Sequence, residues 1–323
     1  MRCIFCLEDR PDGWEHVFPE AIGGTLTTTR VCTDCNSTLG SQVDAKLTDF
    51  PTVVMRRWEL KLPGYSGKVP DPLNWLGTGI LASDPTQKIK ASVNPSNGKA
   101  DIELVTNKKI LADGTIQFAI DRRNFTEIPL IIQRTRVRAG LPPLDAADLS
   151  QAVRAVEADC QTSETPDVLH NISFEPCQRP LLKIAYELAF QWLGEDYLHD
   201  EMAARLREAI MGRAGLESTR MQQYTGSEHP PFRFWAEDNN AHIAYTSVQE
   251  DDVIVYLRIF DVLSAAVVVS EGRSRYVRGP LDAAHVRFLH LDPMLKTKRE
   301  SSLIEESGRI AQVILESGLP ASP

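Results

Sequence analysis

Two Cys-x-x-Cys pairs near the start of the chain, Cys3/Cys6 and Cys32/Cys35, limit its structure more than any other feature. Each pair can form a knuckle whose two sulfurs converge on one ion, and four thiolates are a donor set that tetrahedral Zn2+ takes. Two matched spacings in so short a segment argue against a disulfide pair or a set of merely buried thiols. A four-thiolate site is coordinatively closed, so the expected zinc is structural. Any chemistry must come from what it holds in place.

Between the pairs lies Trp14-Glu15-His16-Val17-Phe18-Pro19, a short β-type run ended by proline. Adjacent strand residues point to opposite faces, so Glu15 and His16 approach a common site from different sides of the backbone. Cys35 is followed directly by Asn36, in what reads as the first turn of a helix from Asp34 to Leu47, and Asn36 reaches the same place. Each residue also has a plainer reading: His16 as a packed histidine beside a ribbon that only binds, Glu15 as a solvated acid, Asn36 as a helix cap.

The series Glu-His-x-x-Pro, then Gly23-Gly24, then Cys-x-x-Cys-Asn-x-x-x-Gly resembles the HNH endonucleases, in their four-cysteine branch with the ββα-metal fold. The resemblance covers about the first 48 residues. It implies that His16 is the general base, and that Glu15 and Asn36 are ligands of a catalytic divalent cation, Mg2+ or Mn2+. It also implies that DNA is the substrate, cut to 5′-phosphate and 3′-hydroxyl ends. One module offers one histidine and one cation, hence one cut, so a double-strand break calls for a homodimer or sequential nicking. The family's middle asparagine has no counterpart in Thr25–Val31. That leaves open a catalytically inactive zinc-ribbon nucleic-acid-binding protein, and RNA stands as the alternative substrate. Phage defence or a mobile element is the expected biological setting.

With 323 residues the chain exceeds one zinc module, and the expected division is a nuclease module at 1–50 and an α+β region at 51–323, with a sub-boundary near 140–180. No basic-then-apolar leader precedes Cys3, and no apolar run approaches the ~20 residues of a membrane span. A soluble, cytoplasmic protein with no membrane partner is expected, in which Cys160 and Cys177 are free thiols. The formal net charge is −9. Within residues 1–48, four basic residues face seven acidic ones. Phosphate affinity must therefore come from local basic clusters. The candidates are Arg56 and Arg57 on a helix at Thr52–Leu60, and Arg134, Arg136 and Arg138, which alternate along an expected strand beginning at Pro129. Arg273, Arg275 and Arg278 form a third group.

The periodicities beyond the module define an α+β fold. Strands are expected at Lys88–Val93, Ala100–Val105, Thr115–Ile120 and Pro129–Gln133, and helices at Asp145–Asp159, Leu181–Leu193 and Tyr197–Met211. Antiparallel strands at Ala241–Val248, Val253–Phe260 and Val262–Ser270 and a last helix at Ser301–Glu316 complete the chain.

Overall fold

The computed structural model describes residues 1–73, 76–82, 84–94, 96–110, 116–158, 168–169, 177–225, 232, 235, 238–272, 275–276, 287–302, 304–309 and 312. Cys160, Arg273 and Arg278 lie outside the described residues.

Strand β1 (Asp12–His16) pairs antiparallel with β2 (Thr27–Cys32). Pro19 stops β1, and the chain turns through a 3-10 segment at Glu20–Ile22 that ends on Gly23, at φ +83°. A side chain at Gly23 would strike Pro293, and one at Gly24 would overlap the carbonyl of Phe18, so the Gly-Gly pair is required on steric grounds. Helix α1 (Thr33–Leu39) follows β2 directly, passes through a π-helical stretch at Gly40–Asp44 and resumes as α-helix at Ala45–Thr48. This is the ββα order expected from the sequence. Helix α2 (Pro51–Glu59) then starts on a proline at its first turn, where no N–H is needed.

Contacts divide the chain into two compact units, Met1–Pro70 with Glu175–Pro323, and Asp71–Phe174. The N-terminal module thus shares one unit with the C-terminal half of the chain. In the second unit, β3 (Thr78–Leu81), β4 (Lys88–Val93), β5 (Ala100–Leu104) and the later two-residue β8 (Val168–Leu169) form a four-stranded antiparallel sheet. A separate hairpin joins β6 (Asn107–Ile110) to β7 (Ile116–Ala119).

The expected strand at Pro129–Gln133 is instead part of helix α3 (Ile128–Arg138). Its β-branched residues suggested a strand, but Pro129 sits in the first turn, and Ile128, Ile132 and Thr135 are buried at spacings of four and three. Arg134, Arg136 and Arg138 therefore do not form a strand stripe. At ~100° per residue Arg136 projects away from the side shared by Arg134 and Arg138, and its Nε donates to the carbonyl of Pro142. Helix α4 (Ala146–Ala158) follows as expected.

In the first unit, α5 (Gln178–Leu193) is buried around nearly its whole circumference, and α6 (Glu201–Ile210) packs beside it. The expected single helix Tyr197–Met211 is split: a 3-10 turn runs from Glu195 to His199, and Asp200 then caps α6 by accepting from the Met202 N–H at 2.8 Å. A six-stranded antiparallel sheet packs on these helices. Its members are β9 (Met221–Thr225), β10 (His242–Gln249), β11 (Asp252–Ile259), β12 (Leu263–Ser270), β13 (Arg287–Asp292) and β14 (Thr297–Ser302), in the order β14-β13-β10-β11-β12-β9. Residues 301 and 302, expected to begin the last helix, end a strand, and among the described residues 304–309 and 312 are helical.

One apolar core runs from the cysteine knuckles through α5 and α6 into this sheet. Phe5 packs on Tyr186 with ring centroids 5.2 Å apart, and the Tyr186 hydroxyl donates to the carbonyl of Ile4. His242, fully buried, lies between Phe18 and Phe260. Its Nε2 bonds to the Ile22 carbonyl at 2.9 Å, and its Nδ1 accepts from the Phe260 N–H at 3.3 Å. That pairing fits one neutral tautomer, and burial pushes the imidazole down to about 4.

Candidate active site

The four cysteine sulfurs lie within 4.8 Å of one another. Cys6 and Cys32 are 3.9 Å apart, near the ~3.8 Å edge of a tetrahedron with Zn–S bonds of ~2.3 Å. The amides of Phe5 and Cys32 point at Cys3 Sγ, at 3.5 and 3.4 Å, as suits a thiolate. The cluster is compatible with structural zinc on donor set, distances and sulfur-directed N–H groups together.

Beside it, β1 and the π-helical part of the α1 region wall a cleft of about 240 Å³, lined by Glu15, His16, Pro19, Glu20, Ala21, Asn36, Gly40, Asp44, Ala45 and Thr48. The three residues singled out in the sequence are thus together. Strand alternation turns the Glu15 side chain inward, where it is 3% exposed, while Trp14 stands out in solvent on the other face at 72% exposure. Asn36 donates its amide to the Trp14 carbonyl at 2.6 Å, which pins helix to strand and leaves its amide oxygen as the atom available to an ion.

Asp44, not recognised in the sequence, also lines the cleft. On a regular helix residues eight apart diverge by ~80°, and the extra residue of one π-turn reduces that to ~20°. The amide of Ala45 bonds to the carbonyl of Gly40, five residues back, as a π-turn requires. This local unwinding puts Asp44 on the same side as Asn36, two turns along.

Behind the cleft sits Lys183 of α5, with no exposed surface. Its ammonium is ion-paired with Glu15, lies 3.0 Å from Asp44 Oδ2 and 3.9 Å from Glu187 Oε2, and donates to the His16 carbonyl at 2.8 Å. Burial alone would lower the lysine, but Glu187, Asp44 and Glu15 outweigh it and hold the ammonium above its ordinary value. Burial likewise raises Glu15 and Asp44 against the pull of Lys183, and raises Glu187 well above the usual carboxylate range. The sequence did carry one signal for this group: Lys183 and Glu187 are an i,i+4 pair inside a helix apolar on every side.

The basic residues expected to meet phosphate are placed differently. Arg57 is buried and donates to the carbonyl of Thr48, bracing the cleft wall, and burial lowers its pKa. Arg56 is paired with Glu59 and Asp261. Arg134, Arg136 and Arg138 belong to the second compact unit.

The profile of the HNH endonuclease family matches residues 3–50, the segment that carries the four cysteines, Glu15, His16, Asn36 and Asp44. Neither the curated proteins nor the solved structures gave a significant match. No described helix is long and apolar enough to cross a membrane. The matched family is one of nucleic-acid hydrolases, and the residues present also fit a hard divalent cation. Glu15, Asn36 and Asp44 offer oxygen donors in the cleft, Asp44 Oδ1 is buried with no hydrogen-bond partner, and the three carboxylates around Lys183 face one ammonium.

Proposed function

We propose that the protein is a metal-dependent HNH endonuclease that hydrolyses phosphodiester bonds in DNA. The observation that carries this reading is the convergence of Glu15, His16 and Asn36 on one cleft within the segment that matches the family. His16 acts as general base and takes the proton of the attacking water, a task suited to histidine at neutral pH. Glu15 and Asn36 hold Mg2+ or Mn2+, which when bound neutralises charge on the phosphate and the leaving 3′ oxygen. Lys183 fixes the Glu15 carboxylate and, through the His16 carbonyl, the backbone from which the imidazole extends. The zinc knuckles hold strand and helix together and take no part in hydrolysis. One module makes one cut, so a homodimer or two successive nicks yields a double-strand break.

The test is cleavage of supercoiled plasmid by the full chain with Mg2+, Mn2+ or EDTA, comparing wild type with His16→Ala at equal zinc content. Metal-dependent nicking that falls by ~10²–10⁴ in the variant is expected. A zinc-loaded wild type that cuts neither duplex DNA nor single-stranded RNA with either metal refutes the reading.

A further inference from the structure

We propose that Asp44 is a further oxygen ligand of the catalytic cation, joining Glu15 and Asn36 in the cleft. The inference rests on the nuclease reading and adds a residue to it.

Three observations support it. The first is position. The π-helical stretch Gly40–Asp44 brings Asp44 to the same side of the helix as Asn36, and both side chains line the cleft with Glu15. At the intervening position, Gly40, a Cβ would meet nothing within 4 Å, so open space lies between the two. Single π-turns inside α-helices are rare and occur frequently at functional sites.

The second is the state of the carboxylate. Lys183 engages Asp44 through Oδ2, while Oδ1 is buried without a hydrogen-bond partner. An unpaired carboxylate oxygen at a cleft wall is costly unless something of opposite charge meets it. Lys183 does not serve that atom, and it is absent from the cleft lining. The ammonium thus meets Glu15 and Asp44, which line the cleft, from outside the lining.

The third is charge. Glu15, Asp44 and Glu187 surround a single ammonium, so carboxylates outnumber cations in the group. Of these three, Glu15 and Asp44 line the cleft, and both offer a divalent cation the oxygen donors that Mg2+ and Mn2+ prefer.

The experiment compares Mn2+ binding to zinc-loaded full-length wild type, Asp44→Asn and Glu187→Gln, read by electron paramagnetic resonance and by calorimetry without substrate. Both substitutions remove one carboxylate from the shell of Lys183, but only Asp44 reaches the cleft. Asp44→Asn is expected to weaken Mn2+ binding at least ~10-fold, with Glu187→Gln within about threefold of wild type. Equal affinity of wild type and Asp44→Asn overturns the assignment, and so does an equal loss in both variants, which would mean that Asp44 acts only through the charge around Lys183. Should Asp44→Asn lose its zinc, Asp44→Ser is measured in its place. A wild type that holds zinc but binds no Mn2+ overturns the whole cation site, and the nuclease reading with it, an outcome distinct from failure of Asp44 alone.

Discussion

The buried imidazole of His242 makes stability depend on pH in a way that can be isolated. Burial lowers it from 6.5 to about 4, and the neutral ring is matched by one acceptor, the Ile22 carbonyl, and one donor, the Phe260 N–H. A proton added at Nδ1 would face the Phe260 N–H. Because the folded value lies below the unfolded one, the contribution is fully present above pH 6.5 and is lost as the pH falls towards 4. At ~1.4 kcal/mol per unit, linkage gives a loss of about 2 kcal/mol by pH 5 and about 3 kcal/mol by pH 4. The perturbation is His242→Gln, which keeps an amide donor for Ile22 but does not titrate. The variant should be about 1–2 kcal/mol less stable than wild type at pH 7, through lost packing against Phe18 and Phe260. Urea unfolding of both zinc-loaded proteins, followed by tryptophan fluorescence between pH 7 and 5, measures the gap. Taking the difference cancels the carboxylates, which titrate alike in both. The gap should shrink by about 2 kcal/mol over that window. A gap that stays constant refutes the reasoning.

Lys183→Met leaves Glu15, Asp44 and Glu187 buried without their cation and should cost about 3–5 kcal/mol in urea unfolding; a cost below ~1 kcal/mol would mean the ammonium is not needed to compensate them. Gly24→Ala forces a methyl onto the Phe18 carbonyl and should destabilise by about 2–3 kcal/mol. Gly40→Ala, at a helical position with open space, should instead stabilise by about 0.5–1 kcal/mol while its methyl enters the cleft and slows cleavage, so thermal melting and plasmid nicking should move in opposite directions. Stripping zinc with a strong chelator should lower the melting temperature of the α5–α6–sheet region along with that of residues 3–50, because one core joins them; calorimetry that shows an unchanged main transition would contradict this.

The sequence displayed what depends on short spacing. Cys3, Cys6, Cys32 and Cys35 bring their sulfurs together because each knuckle is local, and Glu15, His16 and Asn36 flank the same two knuckles. Three of the six strands of the large sheet were equally legible, since the apolar β-branched runs at β10, β11 and β12 are bounded by clear turns, whereas β9, β13 and β14 carry no such run. Asp44 was hidden by the assumption of regular helical geometry: Leu39, Val43 and Leu47 suggested an unbroken helix, and nothing in that spacing announces a π-turn. Lys183 was hidden by distance along the chain, as no local rule pairs it with Glu15. Segment 128–138 shows β propensity overruled by tertiary packing, with Pro129 as the signal that should have weighed more. Arg56 and Arg57 read as a basic surface because sequence alone does not reveal burial, and the structure pairs one with Asp261 and places the other inside.

The ion pair between Glu15 and Lys183 also sets an order of events during synthesis. The lysine that bonds to the His16 carbonyl is made 167 residues after it. At ~5–20 residues per second, the module's acid is synthesised about 8–33 s before its counter-ion. Residues 71–174 are made in that interval, and they form a compact unit of their own. The cleft is therefore finished late, and a nascent chain cut short before α5 would carry the motif without the lysine that holds it.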